Sequence, residues 1–74
     1  GDPDTPQAPP PVPADTRPPA GWSERPSDTL VYVEHDATFL SRPPQREGFV
    51  PYFIGRHGIG PGSWTSWSYK RLPR

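Results

Sequence analysis

The sequence lacks several features by which short chains usually stabilise a fold or attract a partner. None of its 74 residues is cysteine, so no disulfide can cross-link the chain. No apolar run approaches the roughly eighteen residues of a membrane-spanning helix, and we expect no transmembrane segment. Eight basic residues balance eight acidic ones, which removes the long-range attraction between basic proteins and polyanions. Nucleic acid is therefore not an expected partner.

Apolar residues are also scarce, at 30% of the chain. Short chains without disulfides bury little surface, and they are usually stabilised by a metal or by contact with another protein. Because no metal-binding pattern is present, we expect this chain to pack against a larger, heteromeric protein complex.

Proline is abundant, with fourteen residues, and most of them precede residue 27. Each proline fixes its own φ angle and drives the preceding residue into the extended region. Residues 1–27 are therefore predicted to form a long extended arm of the polyproline II type. The arm is interpreted either as a strap that binds a partner through Pro10, Pro11 and Pro13 or as a linker without a partner of its own.

Trp22 stands near the end of this arm in a polar segment. Leaving an indole ring in water forgoes a few kcal/mol of burial energy. Two interpretations are open: the ring folds back as a plug in the core of this chain, or it inserts into a pocket of a partner.

Residues 28–74 have a different composition, with β-branched and aromatic residues in short runs between turn residues. They are predicted to form a small, irregular, mainly antiparallel β unit with little or no helix. Pro51 cannot donate a hydrogen bond to a neighbouring strand, so it indicates an edge strand or a bulge. Residues 41–48 are predicted to be a loop. Strands are predicted at residues 29–34, 38–40, 49–54 and 63–72.

The last predicted strand alternates between two faces. Thr65, Trp67 and Tyr69 point to one face and are expected to supply the core. Trp64 and Lys70 point to the other face, toward solvent or a partner.

Signatures of catalysis and of ligand chemistry are weak. The glycines between residues 55 and 62 match neither the dinucleotide-binding nor the P-loop spacing, and they predict a chain reversal. His35 and His57 lack further ligands at a zinc-site spacing. A folded part of about forty-five residues is too small to enclose a catalytic cleft. We predict no enzyme activity, no cofactor and no metal site.

Two functional hypotheses remain. The first is a non-catalytic accessory or structural subunit, or docking module, that attaches to a larger assembly through its arm and exposed rings. The second is a β module that binds a small ligand or single-stranded nucleic acid by ring stacking and cationic contacts. The candidate partner-binding residues are Pro10, Pro11, Pro13, Trp22, Trp64, Trp67, Tyr69, Lys70 and Arg71.

The chain starts at Gly1 instead of methionine. This start indicates either a processed protein or a fragment excised from a longer one. Removal of a signal peptide is the ordinary route of processing, so for a processed protein we expect an exported, periplasmic location.

Overall fold

The computed structural model describes residues 6, 8–10, 14–38 and 40–73. Within these residues the chain forms four β-strands and no helix, which confirms the predicted mainly β class. The strands are β1 (Gly21–Arg25), β2 (Thr29–His35), β3 (Phe49–His57) and β4 (Trp64–Arg71).

The four strands form one antiparallel sheet in the order β1-β2-β4-β3. The most aromatic strand, β4, therefore lies between two neighbours. In the register of β2 against β4, Tyr32 lies opposite Trp67, and Leu30 lies opposite Tyr69. Large side chains that face each other across an antiparallel pair stabilise it. The core forms where β2 and β4 meet, and β1 and β3 are the edges.

The core is a cluster of rings on one face of the sheet. Trp67 and Tyr69 are fully buried, and Leu30 is 5% exposed. The ring centre of Trp22 lies 4.9 Å from that of Tyr32 and 5.1 Å from that of Tyr69, within the range of favourable tilted ring contacts. The predicted alternation of β4 is confirmed, and Trp22 packs as a plug in the core of its own chain.

The strand β1 lies within the segment that the sequence assigned to the arm. It pairs with β2 along its whole length, from Gly21 opposite Val33 to Arg25 opposite Thr29. The sheet therefore begins earlier than the boundary expected at residue 28. Apart from Trp22, β1 contains no aromatic or β-branched residue, so its place in the sheet depends on backbone pairing with β2.

The turn between β1 and β2 is unusual in its residues. Ser27 and Asp28 both have positive φ, at 68° and 57°. Two consecutive residues in this region are typical of tight hairpin turns, where Asn-Gly is the common pair. Ser-Asp does not match that pair, so the sequence did not predict this hairpin.

The strand predicted at residues 38–40 is wrong. Thr38 and Leu40 lie outside every strand, and Phe39 lies outside the described residues. The strand β2 already has β1 on one side and β4 on the other, so it has no edge left for a third partner. The Thr38 carbonyl instead accepts a hydrogen bond from Arg56 Nη1 at 3.2 Å.

Residues 41–48 form the predicted loop, and it is held to the ring cluster. Tyr69 Oη donates a hydrogen bond to the Pro44 carbonyl at 2.6 Å. The guanidinium of Arg46 lies 4.9 Å from the ring centre of Trp22. Burial raises the pKa of the Tyr69 hydroxyl above its ordinary value of 10.0, so the group stays protonated and can donate at neutral pH. The core thereby fixes the position of the loop.

The strand β3 is both an edge strand and irregular at its proline. Its register against β4 shifts between Pro51 and Phe53, as expected for a residue without an N–H group. The strand continues to His57, beyond the predicted end at Ile54. The chain then reverses into β4 through a turn in which Gly58, Gly60 and Gly62 have positive φ.

Replacing Tyr69 with phenylalanine removes the hydroxyl that holds the loop and leaves the ring in place. We expect Tyr69→Phe to lower the free energy of unfolding by about 1–3 kcal/mol, because the Pro44 carbonyl loses its hydrogen bond. Urea unfolding followed by tryptophan fluorescence measures the loss. Tyr52→Phe is the control, because this ring is 53% exposed. Equal losses in the two variants would contradict the role of the hydrogen bond.

Gly55 lies where β3 approaches β4 closely. A Cβ atom at this position would lie 2.9 Å from Ser66 Oγ and 3.3 Å from His57 Nε2. We expect Gly55→Ala to reduce the free energy of unfolding by about 1–3 kcal/mol through overpacking. Adding Ser66→Ala should recover part of the loss in a double-mutant cycle. A coupling energy near zero would show that the contact with Ser66 is not the cause.

Candidate docking surface

Exposed apolar side chains concentrate on the edge strand β3. The exposed fractions are 44% for Val50, 53% for Tyr52, 60% for Phe53 and 48% for Ile54. In β2 and β4, which are described in full, the apolar side chains are buried or half-buried. An apolar patch of this kind is typical of a surface that binds another molecule.

An apolar groove runs beside β3. Its deeper part has a volume of about 700 Å³ and lies between the loop at residues 42–48 and the side chains of Phe49, Pro51 and Leu72. A shallower depression lined by Pro43 and residues 51–54 continues it and shares Pro43 and Pro51 with it. The two parts together are called the edge groove below.

Prolines keep the two sides of the edge groove apart. Pro43 and Pro44 have no N–H group, so this part of the loop cannot pair with β3 as a further strand. The Pro44 carbonyl is held by the hydroxyl of Tyr69, which fixes the wall of the groove to the core. On the facing strand, Pro51 also lacks a donor, and the register shift beside it interrupts the strand.

Four cations border the edge groove and are called the cationic rim. The Nζ atom of Lys70 lies 4.7 Å from the ring centre of Tyr52. The guanidinium of Arg71 lies 4.7 Å from the ring centre of Phe49. Glu47 also lines the groove, and the Asp28 carboxylate lies 3.7 Å from Arg71 Nε. The four cations therefore outnumber two acidic groups, and the surface favours an anionic ligand. The members of the cationic rim are Arg42, Arg46, Lys70 and Arg71.

The outer side of β3 can also bind a peptide backbone. In the described part of the chain, β3 has a neighbouring strand only on its β4 side. An edge strand can pair with an extended peptide through its outward N–H and C=O groups. Because Pro51 and the register shift break the regular repeat, Phe53–His57 is the stretch best suited to such pairing. This stretch follows the deeper part of the groove, so one extended peptide can contact both.

Trp64 lies on the sheet face opposite the core, as the alternation predicted. Its ring stacks on His57, with the ring centres 3.7 Å apart and the planes 11° from parallel. One face of the indole is therefore covered by a neighbour within the chain, and Trp64 is half-buried.

The structure corrects part of the candidate list from the sequence. Trp67 and Tyr69 are fully buried and Trp22 packs against them, so these rings belong to the core and do not form the predicted partner-binding surface. The physical reason is that a sheet this small needs its largest rings for its own core. Lys70 and Arg71 are exposed and belong to the cationic rim.

The structure describes one of the three arm prolines on the candidate list. Pro10 is exposed, whereas Pro11 and Pro13 lie outside the described residues. Their predicted role in partner binding stays a prediction.

Burial also takes two of the four rings out of the stacking platform of the nucleic-acid hypothesis, whereas Tyr52 remains 53% exposed, and the hypothesis stays a prediction. Bases stack on exposed ring faces, and neither Trp67 nor Tyr69 exposes its ring. Of the rings proposed for stacking in β4, Trp64 alone is accessible, and His57 covers one of its faces.

Sequence reasoning missed the exposed side chains of β3 as functional residues. The run from Phe49 to Ile54 contains no charged residue and does not alternate between apolar and polar residues. A strand without a polar face, placed at a sheet edge by Pro51, must leave apolar side chains in water. The lack of alternation was therefore the available signal.

Arg17 fastens the arm to the end of the sheet away from the edge groove. Its guanidinium contacts the Asp15 carboxylate at 2.7 Å, the Asp36 carboxylate at 3.1 Å and the Ser63 carbonyl at 3.0 Å. These contacts are called the arm latch below. They join the arm to the C-terminal end of β2 and the N-terminal end of β4.

His35 adds a further contact to the latch. Its Nε2 atom lies 2.6 Å from the Pro18 carbonyl, and a carbonyl only accepts, so Nε2 carries the proton. The Nδ1 atom lies 3.9 Å from the Asp15 carboxylate.

Hydrogen bonds keep the acidic groups of the latch charged. Those from Arg17 hold the pKa of Asp15 well below its usual range. The backbone amide of Gly62 is the main cause of a lowered pKa at Asp36, and Arg17 adds to it. The Asp15 carboxylate in turn raises the pKa of Arg17. The latch is therefore an ion-pair network at neutral pH.

No family model matches this chain, and no curated protein or solved structure matches it. Among the described residues, no three His, Cys, Asp or Glu side chains are grouped so that they could hold a metal ion. No helix able to cross a membrane occurs in the part of the chain that the structure describes.

The latch should open only in acid. The folded pKa values of Asp15 and Asp36 lie below the ordinary value of 3.8, so their stabilising contribution is complete above that value and is lost as pH falls through the lowered pKa. We expect the nuclear Overhauser contacts between Arg17 and Ser63 to persist between about pH 5 and 8 and to weaken below about pH 4.

The control for this titration is Arg17→Lys, which keeps the charge but loses the forked hydrogen-bonding geometry. It should loosen the latch at every pH. A wild-type latch that opened between about pH 6 and 7 would contradict the prediction.

Proposed function

We propose that this chain is a non-catalytic docking module that binds an extended segment of a larger protein assembly in its edge groove. The observation that carries the proposal is the apolar, exposed strand β3 at an unpaired sheet edge of the described chain, beside that groove. Apolar and aromatic side chains grouped on one strand gain free energy when another protein covers them.

The lining of the groove indicates the chemistry of the ligand. The floor contains Phe49, Pro51 and Tyr52, which suits apolar side chains and proline rings. The cationic rim suits acidic residues beside them. A proline-containing segment is extended before binding, so it loses little conformational entropy when bound. The preferred ligand is therefore an extended segment that combines prolines or apolar residues with Asp or Glu.

Two modes of contact follow each other along β3. Beside Pro51, the strand cannot offer a regular row of backbone donors, so the ligand is bound there through its side chains. Along Phe53–His57, the ligand can add to the sheet as a further antiparallel or parallel strand. The backbone contacts supply affinity and the groove supplies selectivity.

The contact area limits the affinity of the groove on its own. A stable protein complex buries about 800 Å² on each partner, and one peptide beside a nine-residue strand covers less. We therefore expect weak, reversible binding by the groove alone. The proline-rich arm, held at the other end of the sheet by the latch, can provide a second contact to the same assembly, and linked contacts strengthen each other.

Selection from a display library of random peptides of about twelve residues, enough to span β3, tests the proposal. We expect the full chain to enrich peptides rich in proline, apolar residues and Asp or Glu. The double variant Tyr52→Ser/Leu72→Ser should bind the selected peptides at least about tenfold more weakly, a loss of about 1.4 kcal/mol.

The matched control is Leu40→Ser/Ile59→Ser, which removes exposed apolar side chains, 74% and 97% exposed, that do not line the groove. It should bind the peptides as the wild type does. The proposal is wrong if no peptide is enriched, or if the groove variant and the control bind equally well.

A further inference from the structure

We infer that the arm of a second copy is a ligand of the edge groove, so that copies of this chain associate head to tail. The inference rests on the docking function proposed above and names a segment that the chain itself carries. The charge of the arm, its length and the point at which it meets the sheet favour this occupant.

The arm has the composition that suits the edge groove. Its first fourteen residues, which precede the latch, contain two aspartates, six prolines and no lysine or arginine. The groove offers an apolar floor to the proline rings and the cationic rim to the aspartates. The chain as a whole is neutral, so this attraction arises from the separation of charge between its two ends.

The arm meets the sheet at the end opposite the deeper part of the groove. The latch holds Arg17 beside Ser63, which precedes the first residue of β4, whereas the groove reaches Leu72, which follows the last. The eight residues of β4 separate these ends by about 25 Å. No described arm residue lines the groove, and Pro9 and Pro10 are exposed. To enter its own groove, the arm would have to reverse direction at the latch.

The arm is long enough to occupy the groove of a neighbour while its own latch stays closed. Residues 1–14 would span roughly 40 Å at 3.1 Å per residue. The strand β3 has nine residues and is about 30 Å long. The arm can therefore lie along the whole of β3 on a second copy.

Direct pairing of two β3 edges is the competing mode of self-association, and the structure disfavours it. Pro51 and the register shift would limit the paired stretch to Phe53–His57, which buries little surface. The contact between arm and groove avoids this limit, because it can use the whole of β3. Because it uses different surfaces on the two copies, it continues along the assembly unless a ring closes.

Two full-length variants with reversed charges test this contact. The arm variant is Asp2→Lys/Asp4→Lys, and the groove variant is Arg42→Glu/Lys70→Glu, at two exposed positions. Each variant alone has an arm and a groove of like charge. We expect its association constant, measured by sedimentation equilibrium at low salt, to fall at least about tenfold below that of the wild type.

Mixing the two variants gives every arm a groove of opposite charge. Association in the mixture should return to within about threefold of the wild type and should weaken as salt rises. The control is Ser23→Glu/Arg25→Glu/Pro26→Glu, which makes the same change in net charge at exposed positions outside both the edge groove and β3. It should associate as the wild type does.

Two results would overturn the inference. One is a wild-type chain that stays monomeric up to about 1 mM at low salt. The other is a mixture that associates no better than its separate components. The peptide selection described above measures the groove with foreign ligands. A monomeric chain whose groove still selects peptides would therefore remove the second copy as occupant and leave the docking function in place.

Discussion

The hydrogen bond from the Tyr69 hydroxyl to the Pro44 carbonyl connects the core of this protein to its surface. The ring of Tyr69 is one of the two fully buried side chains, and its hydroxyl positions the loop that forms the wall of the edge groove. The core and the groove therefore share a residue. A change in the packing of β4 therefore alters the shape of the groove, although no residue of β4 lines it.

Apolar residues are scarce in this chain, yet several of them remain exposed on β3. The sheet packs one ring cluster against a short loop, and no second layer covers β3 in the described residues. The side chains that would enlarge the core of a bigger protein remain in water here. These side chains are not buried when the single chain folds, so their burial can still contribute free energy when another protein binds at β3.

Much of the fold could be predicted from the sequence, because β4 alternates cleanly and Pro51 marks an edge. The strand β1 could not, because its pairing depends on the backbone of β2 and its turn uses Ser27 and Asp28 at positive φ. The site was harder to predict. Alternation along β4 placed Trp67 and Tyr69 in the core, yet the same rings are also suited to an interface, and only their complete burial in the folded sheet decides between the two.

The opposite placement of the arm latch and the edge groove determines how the protein would carry a mechanical load. A pull between the arm and a ligand in the groove enters the sheet near Ser63 and leaves it near Leu72. The force then runs along the covalent backbone of β4, parallel to the strands, and does not pull the hydrogen-bonded strands apart. A pull between the edges β1 and β3 would instead stretch the sheet across its strands. The short sheet is thus oriented to resist tension along the line joining its two attachment points.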